Sequence, residues 1–247
     1  MSSQARRSRV RLLLAILAVL VLVLLAVVLL PAGRSSGKLA GAGRLRTAYP
    51  NGRSGGFLLP AGHQDRPLPL LTLLHGTGGS GMGLLPLVQE AAKERPFVVV
   101  APDSEFAEHW DVPDHPGETT RDSDHVIACV REVMRMEHVM IDRQRVLIAG
   151  ISGGGSTAPF EASTYDEFSA FAVLHGGVYA SGLGARRVRG WFSTGQVDPL
   201  RPVEGVSKAV DAVRSSGFAA VTFNVYAGGH EVSSAELNAM LDWWLGP

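Results

Sequence analysis

Cysteine is nearly missing from this 247-residue chain; Cys129 is the only one. A single thiol cannot close an intramolecular disulfide, and it cannot supply a cysteine-based metal site. An exported protein without disulfides depends on its apolar core, which a domain of about 200 residues can provide. Excess charge is missing too: Lys+Arg and Asp+Glu both number 23, for a net charge of zero. Nucleic-acid binding draws on a basic excess, so no nucleic-acid partner is expected. No internal repeat is visible. Regularly spaced metal ligands are also lacking. Asp103–His125 holds eight acidic residues and three histidines, but they are scattered among Pro and Gly. That composition reads as a solvated loop, and neither metal nor cofactor is expected.

What the chain does have begins with an apolar run. Residues 12–30 are nineteen consecutive Leu, Ile, Val and Ala. As a helix they would span roughly 28 Å, close to the ~30 Å hydrocarbon core of a bilayer. The sixteen Leu, Ile and Val among them favour insertion by roughly 5 kcal/mol, at about −0.3 kcal/mol each. Arg6, Arg7, Arg9 and Arg11 precede the run, so the positive-inside rule puts residues 1–11 in the cytoplasm and the rest outside. A cleavable signal has a shorter apolar region with small residues close behind it. Here the nearest A-x-A, Ala40-Gly41-Ala42, stands ten residues beyond. A retained single-pass anchor is therefore favoured over secretion after cleavage, and a buried core helix is the remaining alternative. Residues 31–43, rich in Gly, Ser and Ala, read as a flexible linker.

From residue 44 to 247, short apolar runs alternate with helix-period segments, the pattern of an α/β fold with a mostly parallel sheet. Strands are expected at Phe57–Leu59, Leu70–His75, Phe97–Ala101, Val146–Gly150, Phe171–Leu174, Val188–Ser193 and Ala220–Tyr226. Helices are expected over Leu84–Ala92, over Ser123–His138 with Asp122 or Ser123 as N-cap, and over Ser233–Leu245. Cys129 lies beside the apolar face of the second helix, which makes it a buried, inert thiol. Trp243 and Trp244 read as packing residues of the last helix.

Chemistry concentrates at Arg145–Ser156, RVLIAGISGGGS. Gly150-Ile151-Ser152-Gly153-Gly154 matches G-x-S-x-G, in which a serine occupies a strained strand-to-helix turn with its hydroxyl exposed. The pattern recurs at Gly33–Gly37 and Gly52–Gly56. Only Ser152 follows an apolar, β-branched run, so context selects it. Residues two before and two after such a serine pass close together, and glycine removes the clash a Cβ would make.

Three further pieces suit acyl transfer. His75-Gly76-Thr77-Gly78-Gly79 directly follows a strand. An HG-rich turn there supplies one oxyanion donor and the residue after the nucleophile the other, which designates Thr77 and Gly153. Asp198, in Ser193–Pro199, follows a strand and so reaches the carboxyl edge where sites of open parallel sheets gather. Asp166 precedes a strand, and Asp211 sits inside a helical run. His230, in Ala227–Glu231, follows the last strand and completes the order Ser…Asp…His. His175 precedes any acid in that order and reads as structural or lining. Trp110 and His75 are the candidate substrate-binding side chains.

HGTGG, DRQRVLIAGISGGG, STGQVDP and YAGGH together resemble the α/β-hydrolase superfamily over Arg44 to Pro247. Within it the chain is most similar to secreted esterases of the polyhydroxybutyrate-depolymerase and feruloyl-esterase type. The resemblance implies a serine esterase with a Ser152–His230–Asp198 triad and an acyl-enzyme intermediate, acting on a small-molecule or polymer ester. An acyltransferase or peptidase with the same triad, or an inactive hydrolase fold used for binding, are the alternatives. Three features depart from the family: the missing disulfides, Pro159 early in the helix after the serine, where it should bend or shorten that helix, and the short connection before the Val188 strand, which leaves no room for a large lid.

Overall fold

A computed structural model describes residues 39–61, 66–177, 182–218 and 220–246. The basic N-terminus and the apolar run 12–30, read above as a membrane anchor, lie outside the described residues. Among the described residues no helix is long and apolar enough to cross a membrane.

Eight strands form one sheet: β1 (Leu39–Arg44), β2 (Gly55–Pro60), β3 (Leu68–Leu74), β4 (Val98–Pro102), β5 (Ile141–Ile151), β6 (Ala170–Leu174), β7 (Arg189–Gly195) and β8 (Val221–Tyr226). Their spatial order is β1-β2-β4-β3-β5-β6-β7-β8. The β1–β2 and β2–β4 pairs are antiparallel, and every pair from β4–β3 to β7–β8 is parallel. Among the described residues five helices accompany the sheet: α1 (Gly81–Glu94), α2 (Arg121–Met134), α3 (Gly153–Thr164), α4 (Val203–Ser215) and α5 (Ser234–Leu245).

The period-2 pattern of the strands sorts the core into two layers. On β5, Val146 and Ile148 join one apolar cluster while Leu147 and Ala149 join the other. The first cluster also takes buried residues of α2, α3 and α4; the second takes those of α1 and α5. The sheet is thus covered on both faces, which is why its central strands are continuous apolar runs. Trp244 is fully buried edge-on to Phe97, with ring centroids 5.5 Å apart. Trp243 is partly buried, under the guanidinium of Arg189 at 4.7 Å. Cys129 is fully buried, and burial pushes its thiol well above the ordinary value.

Two expectations need correction. The linker read as 31–43 overlaps β1, whose register runs from Leu39 opposite Pro60 to Arg44 opposite Gly56. Its Gly/Ala composition hides a strand because the Phe57 ring lies across it; a Cβ at Gly43 would sit 2.9 Å from Phe57 Cζ. The N-cap of α2 is Thr120, whose side chain accepts from Ser123 N. Asp122 is instead drawn inward as a buried acceptor. Pro159 lies inside α3, which continues through Thr164.

Candidate active site

Ser152 stands between β5 and the start of α3 with φ 54° and ψ −114°, a left-handed conformation costly for a residue with a side chain. The glycines around it explain how that turn closes. A Cβ at Gly150 would lie 2.2 Å from Gly154 C, and one at Gly154 would lie 2.5 Å from Leu74 O. The turn is tied down by Ser152 N donating to Leu174 O at 2.9 Å and Gly154 N donating to His75 O at 3.1 Å. Of the two other G-x-S-x-G copies, Gly52–Gly56 forms a turn leading into β2, and Gly33–Gly37 lies outside the described residues.

Loops after β7 and β8 bring the other two groups in. Val197 N donates to Gly228 O at 3.0 Å and Gln196 N to Tyr226 O at 2.7 Å. The loops pack so closely that a Cβ at Gly195 would lie 2.0 Å from Gly229 O. The result is a continuous hydrogen-bonded line. Ser152 Oγ is 3.0 Å from His230 Nε2, and His230 Nδ1 is 2.8 Å from Asp198 Oδ2. An ionised carboxylate only accepts, so Nδ1 carries the proton and Nε2 is left to accept from the serine. The Asp198 side chain is fully buried, while that of His230 is 21% exposed.

Asp198 is heavily supplied with donors. Leu200 N and Arg201 N both reach its Oδ1 at 2.8 Å. Burial opposes its ionised form, but the bonds from His175, His230 and these two amides outweigh burial and hold the carboxyl well below its usual range. His175, read above as structural or lining, is its second imidazole partner: Nδ1 lies 2.8 Å from the same Oδ2. Its Nε2 lies 3.1 Å from Oε2 of Glu236. Glu236 was missed by the sequence reading. Its signal was present as Ser233-x-x-Glu236, a capping box that the structure forms at the start of α5.

The His75–Gly79 turn lies against Ser152. A Cβ at Gly76 would be 3.3 Å from Ser152 Cβ, and one at Gly153 would be 3.9 Å from Thr77 N. Among the described residues, neither Thr77 N nor Gly153 N donates to a protein acceptor. Two amides without a protein partner among the described residues therefore flank the hydroxyl.

His75 and Trp110, expected to bind substrate, turn inward. Both are buried, at 1% and 7% exposure. His75 Nδ1 donates to Gly76 O at 2.8 Å, and Nε2 accepts from Ser104 N at 3.2 Å with the Arg53 guanidinium at 3.3 Å, so both ring nitrogens are engaged. Burial lowers its proton affinity, consistent with a neutral ring. The indole N–H of Trp110 donates to His75 O at 2.8 Å. Both side chains brace the turn. A shallow pocket of about 490 Å³ opens beside it, lined by His75 together with Arg53, Thr77, Gly83, Leu84 and Ala107.

His175, Asp198 and His230 present ligand-type atoms within 4.8 Å of one another. Both imidazole Nδ1 atoms are spent as donors to Asp198 at hydrogen-bond distance, so the arrangement is that of a shared acceptor.

No family model matches the chain, and neither does any curated protein. Solved structures do. A fluorophosphonate-binding serine hydrolase F of Staphylococcus aureus, substrate bound, aligns with TM-score 0.69 and 16% identity over 85% of this chain and 100% of that one. The chain has the α/β-hydrolase fold. A ferulic acid esterase aligns with TM-score 0.60 and 18% identity over 85% of this chain and 96% of that one. An acyl-protein thioesterase 2 of Zea mays gives 0.54 and 19%, covering 76% and 95%. At these identities the likeness to each is one of fold.

Proposed function

We propose that the protein is a serine hydrolase of carboxylic esters that works through an acyl-enzyme. The observation that carries this is the line Ser152 Oγ–His230–Asp198, with bonds of 3.0 and 2.8 Å, beside the backbone amides of Thr77 and Gly153. Ser152 Oγ attacks the ester carbonyl as its proton passes to His230 Nε2. The carbonyl oxygen becomes an oxyanion facing Thr77 N–H and Gly153 N–H. Collapse of the tetrahedral intermediate breaks the ester C–O bond, and His230 returns the proton to the leaving alkoxide. Water then attacks the acyl-serine, giving its proton to His230, and the acid leaves as Oγ recovers a proton. Asp198 keeps the proton of His230 on Nδ1 throughout.

The test is hydrolysis of p-nitrophenyl acetate by wild type and Ser152→Ala. A loss of several orders of magnitude is expected; near-wild-type turnover would overturn the proposal. Residues 12–30 are proposed to anchor the hydrolase in the cytoplasmic membrane, with the catalytic domain outside. Support comes from the apolar run and the four arginines before it. Full-length protein should stay with the membrane fraction after a carbonate wash and be cleaved by protease added outside intact cells. Release into the medium at a shortened length would indicate signal cleavage instead.

A further inference from the structure

Five donors converge on Asp198, and one of them is an imidazole that the chemistry above does not use. His175 sits at the end of β6 with φ 52°, a left-handed backbone, and is 1% exposed. Its ring lies edge-on to that of His230, with centroids 5.5 Å apart. It stands between two buried carboxylates, Asp198 on Nδ1 and Glu236 on Nε2. Carboxylate oxygens accept and do not donate. A neutral ring has one N–H, so it would leave a lone pair facing an acceptor at one of its two ends. A ring that donates at both ends is a cation.

We propose that His175 is a positioning residue that stands as a cation behind Asp198, held there by Glu236, and limits how much of the carboxylate's charge reaches His230. The proposal rests on the reading of His230 as the base for Ser152. A carboxylate that served His230 alone would stabilise the protonated imidazole more strongly and favour a ring unable to accept the serine proton. Dividing Oδ2 between two imidazoles weakens that hold while keeping His230 aligned. Glu236 adds a mechanical link. It caps α5 through Ser233 and bonds His175 on β6, so the loop that carries His230 is fixed at its far end to the strand beneath the site.

The direction of protonation agrees. Burial works against a charged His175, but the bonds to Glu236 and Asp198 outweigh it and raise the ring's proton affinity above the ordinary value. Among the described residues, other charged or titratable groups nearby are few. Tyr226 on β8 is pushed up by burial and by Glu236, so it stays neutral. The Glu231 carboxylate accepts from Gly229 N, and the Arg201 guanidinium donates to Leu200 O. Thr194 Oγ1 adds a neutral donor to Asp198 at 3.4 Å.

Glu236→Gln separates charge from shape. The amide keeps the size of the side chain and can donate to Nε2, which makes His175 a neutral ring that still donates to Asp198. The readout is the rate at which a fluorophosphonate labels Ser152 in the full-length chain, measured from pH 5 to 9 with Ser152→Ala as blank. The acid limb of the Glu236→Gln profile is expected to move up by about one pH unit, so labelling on that limb slows about tenfold. His175→Gln should move it the same way and also lower the plateau, because alignment is lost with the charge. An acid limb that superimposes on wild type in a folded Glu236→Gln protein overturns the proposal. If wild type does not label at Ser152, the base reading fails on its own. A second measurement is independent of both activity and variants: ¹⁵N spectra of histidine-labelled wild type should show N–H protons on both His175 nitrogens at pH 8. A single N–H there overturns the proposal.

Discussion

Asp198 and Asp122 are both buried carboxylates with several donors, at opposite sides of the fold's functional divide. Asp198 receives two imidazoles, two backbone amides and a threonine hydroxyl. Asp122 receives the Tyr49 hydroxyl at 2.5 Å and the amides of Glu105 and Asp111, both at 2.8 Å. The number of bonds is similar in kind; what differs is what the donors can do. Imidazoles accept and release protons near neutral pH, so an acid that holds them bears on chemistry. A tyrosine and two amides keep their protons, so Asp122 acts as a pin. It ties β1–β2 loop residue Tyr49 to the acidic segment that carries Trp110, and burial together with Asp122 pushes the tyrosine well above its ordinary value.

The sharpest way to break this contrast is to neutralise each acid. Asp198→Asn should fold but lose ester hydrolysis by roughly 10³–10⁴-fold, because an amide can hold the wrong His230 tautomer. The companion change, Asp122→Ala, orphans one buried and two part-buried donors and should cost about 3 kcal/mol of stability, at roughly 1–3 kcal/mol for a fully buried unsatisfied group and less for the others. Its turnover per folded molecule should stay far closer to wild type. Urea unfolding and p-nitrophenyl acetate kinetics on both proteins decide the matter. If Asp122→Ala lost activity as severely as Asp198→Asn without losing stability, the division between pin and chemistry would be wrong.

The contrast also explains what the sequence made legible. Ser152, Asp198 and His230 each follow an apolar strand, and parallel strands deliver their carboxyl ends to one edge. Strand position alone therefore assembled them. The glycines at 150 and 154 were readable for a related reason, since their need is local backbone approach. His175 also follows a strand, yet chain order gave it no role, because its partner Glu236 comes from a helix cap sixty-one residues away. The burial of His75 and Trp110 was not readable, because nearness to the edge does not reveal which way a ring turns. Their inward turn follows from backbone groups, His75 O and Ser104 N, whose need for partners is invisible in a residue string. β1 was hidden likewise, since its small residues answer the Phe57 ring across the ladder. Asp122 was read as a cap because polar residues before an apolar period usually are.

Glu161 extends the comparison to an acid with almost no donors. It lies in α3, 1% exposed, with Ser123 Oγ donating to Oε1 at 2.8 Å. Among the described residues Oε2 has no partner. Burial dominates, and the carboxyl is pushed up to about 7. The folded protein therefore keeps a proton that the unfolded chain releases near the ordinary carboxylate value. Stability attributable to this group falls as pH rises from about 4.5 to about 7 and is flat above that. At pH 8 the penalty approaches about 3 kcal/mol, before allowance for structure left in the unfolded chain. Glu161→Gln removes the ionisation and keeps an oxygen for Ser123. It should raise stability at pH 8 by up to about 3 kcal/mol, raise it little at pH 5, and leave the rate of ester hydrolysis unchanged. Denaturant curves at the two pH values read the difference directly. A gain of equal size at both would mean that the carboxyl is ionised throughout and that its burial is relieved by some other group.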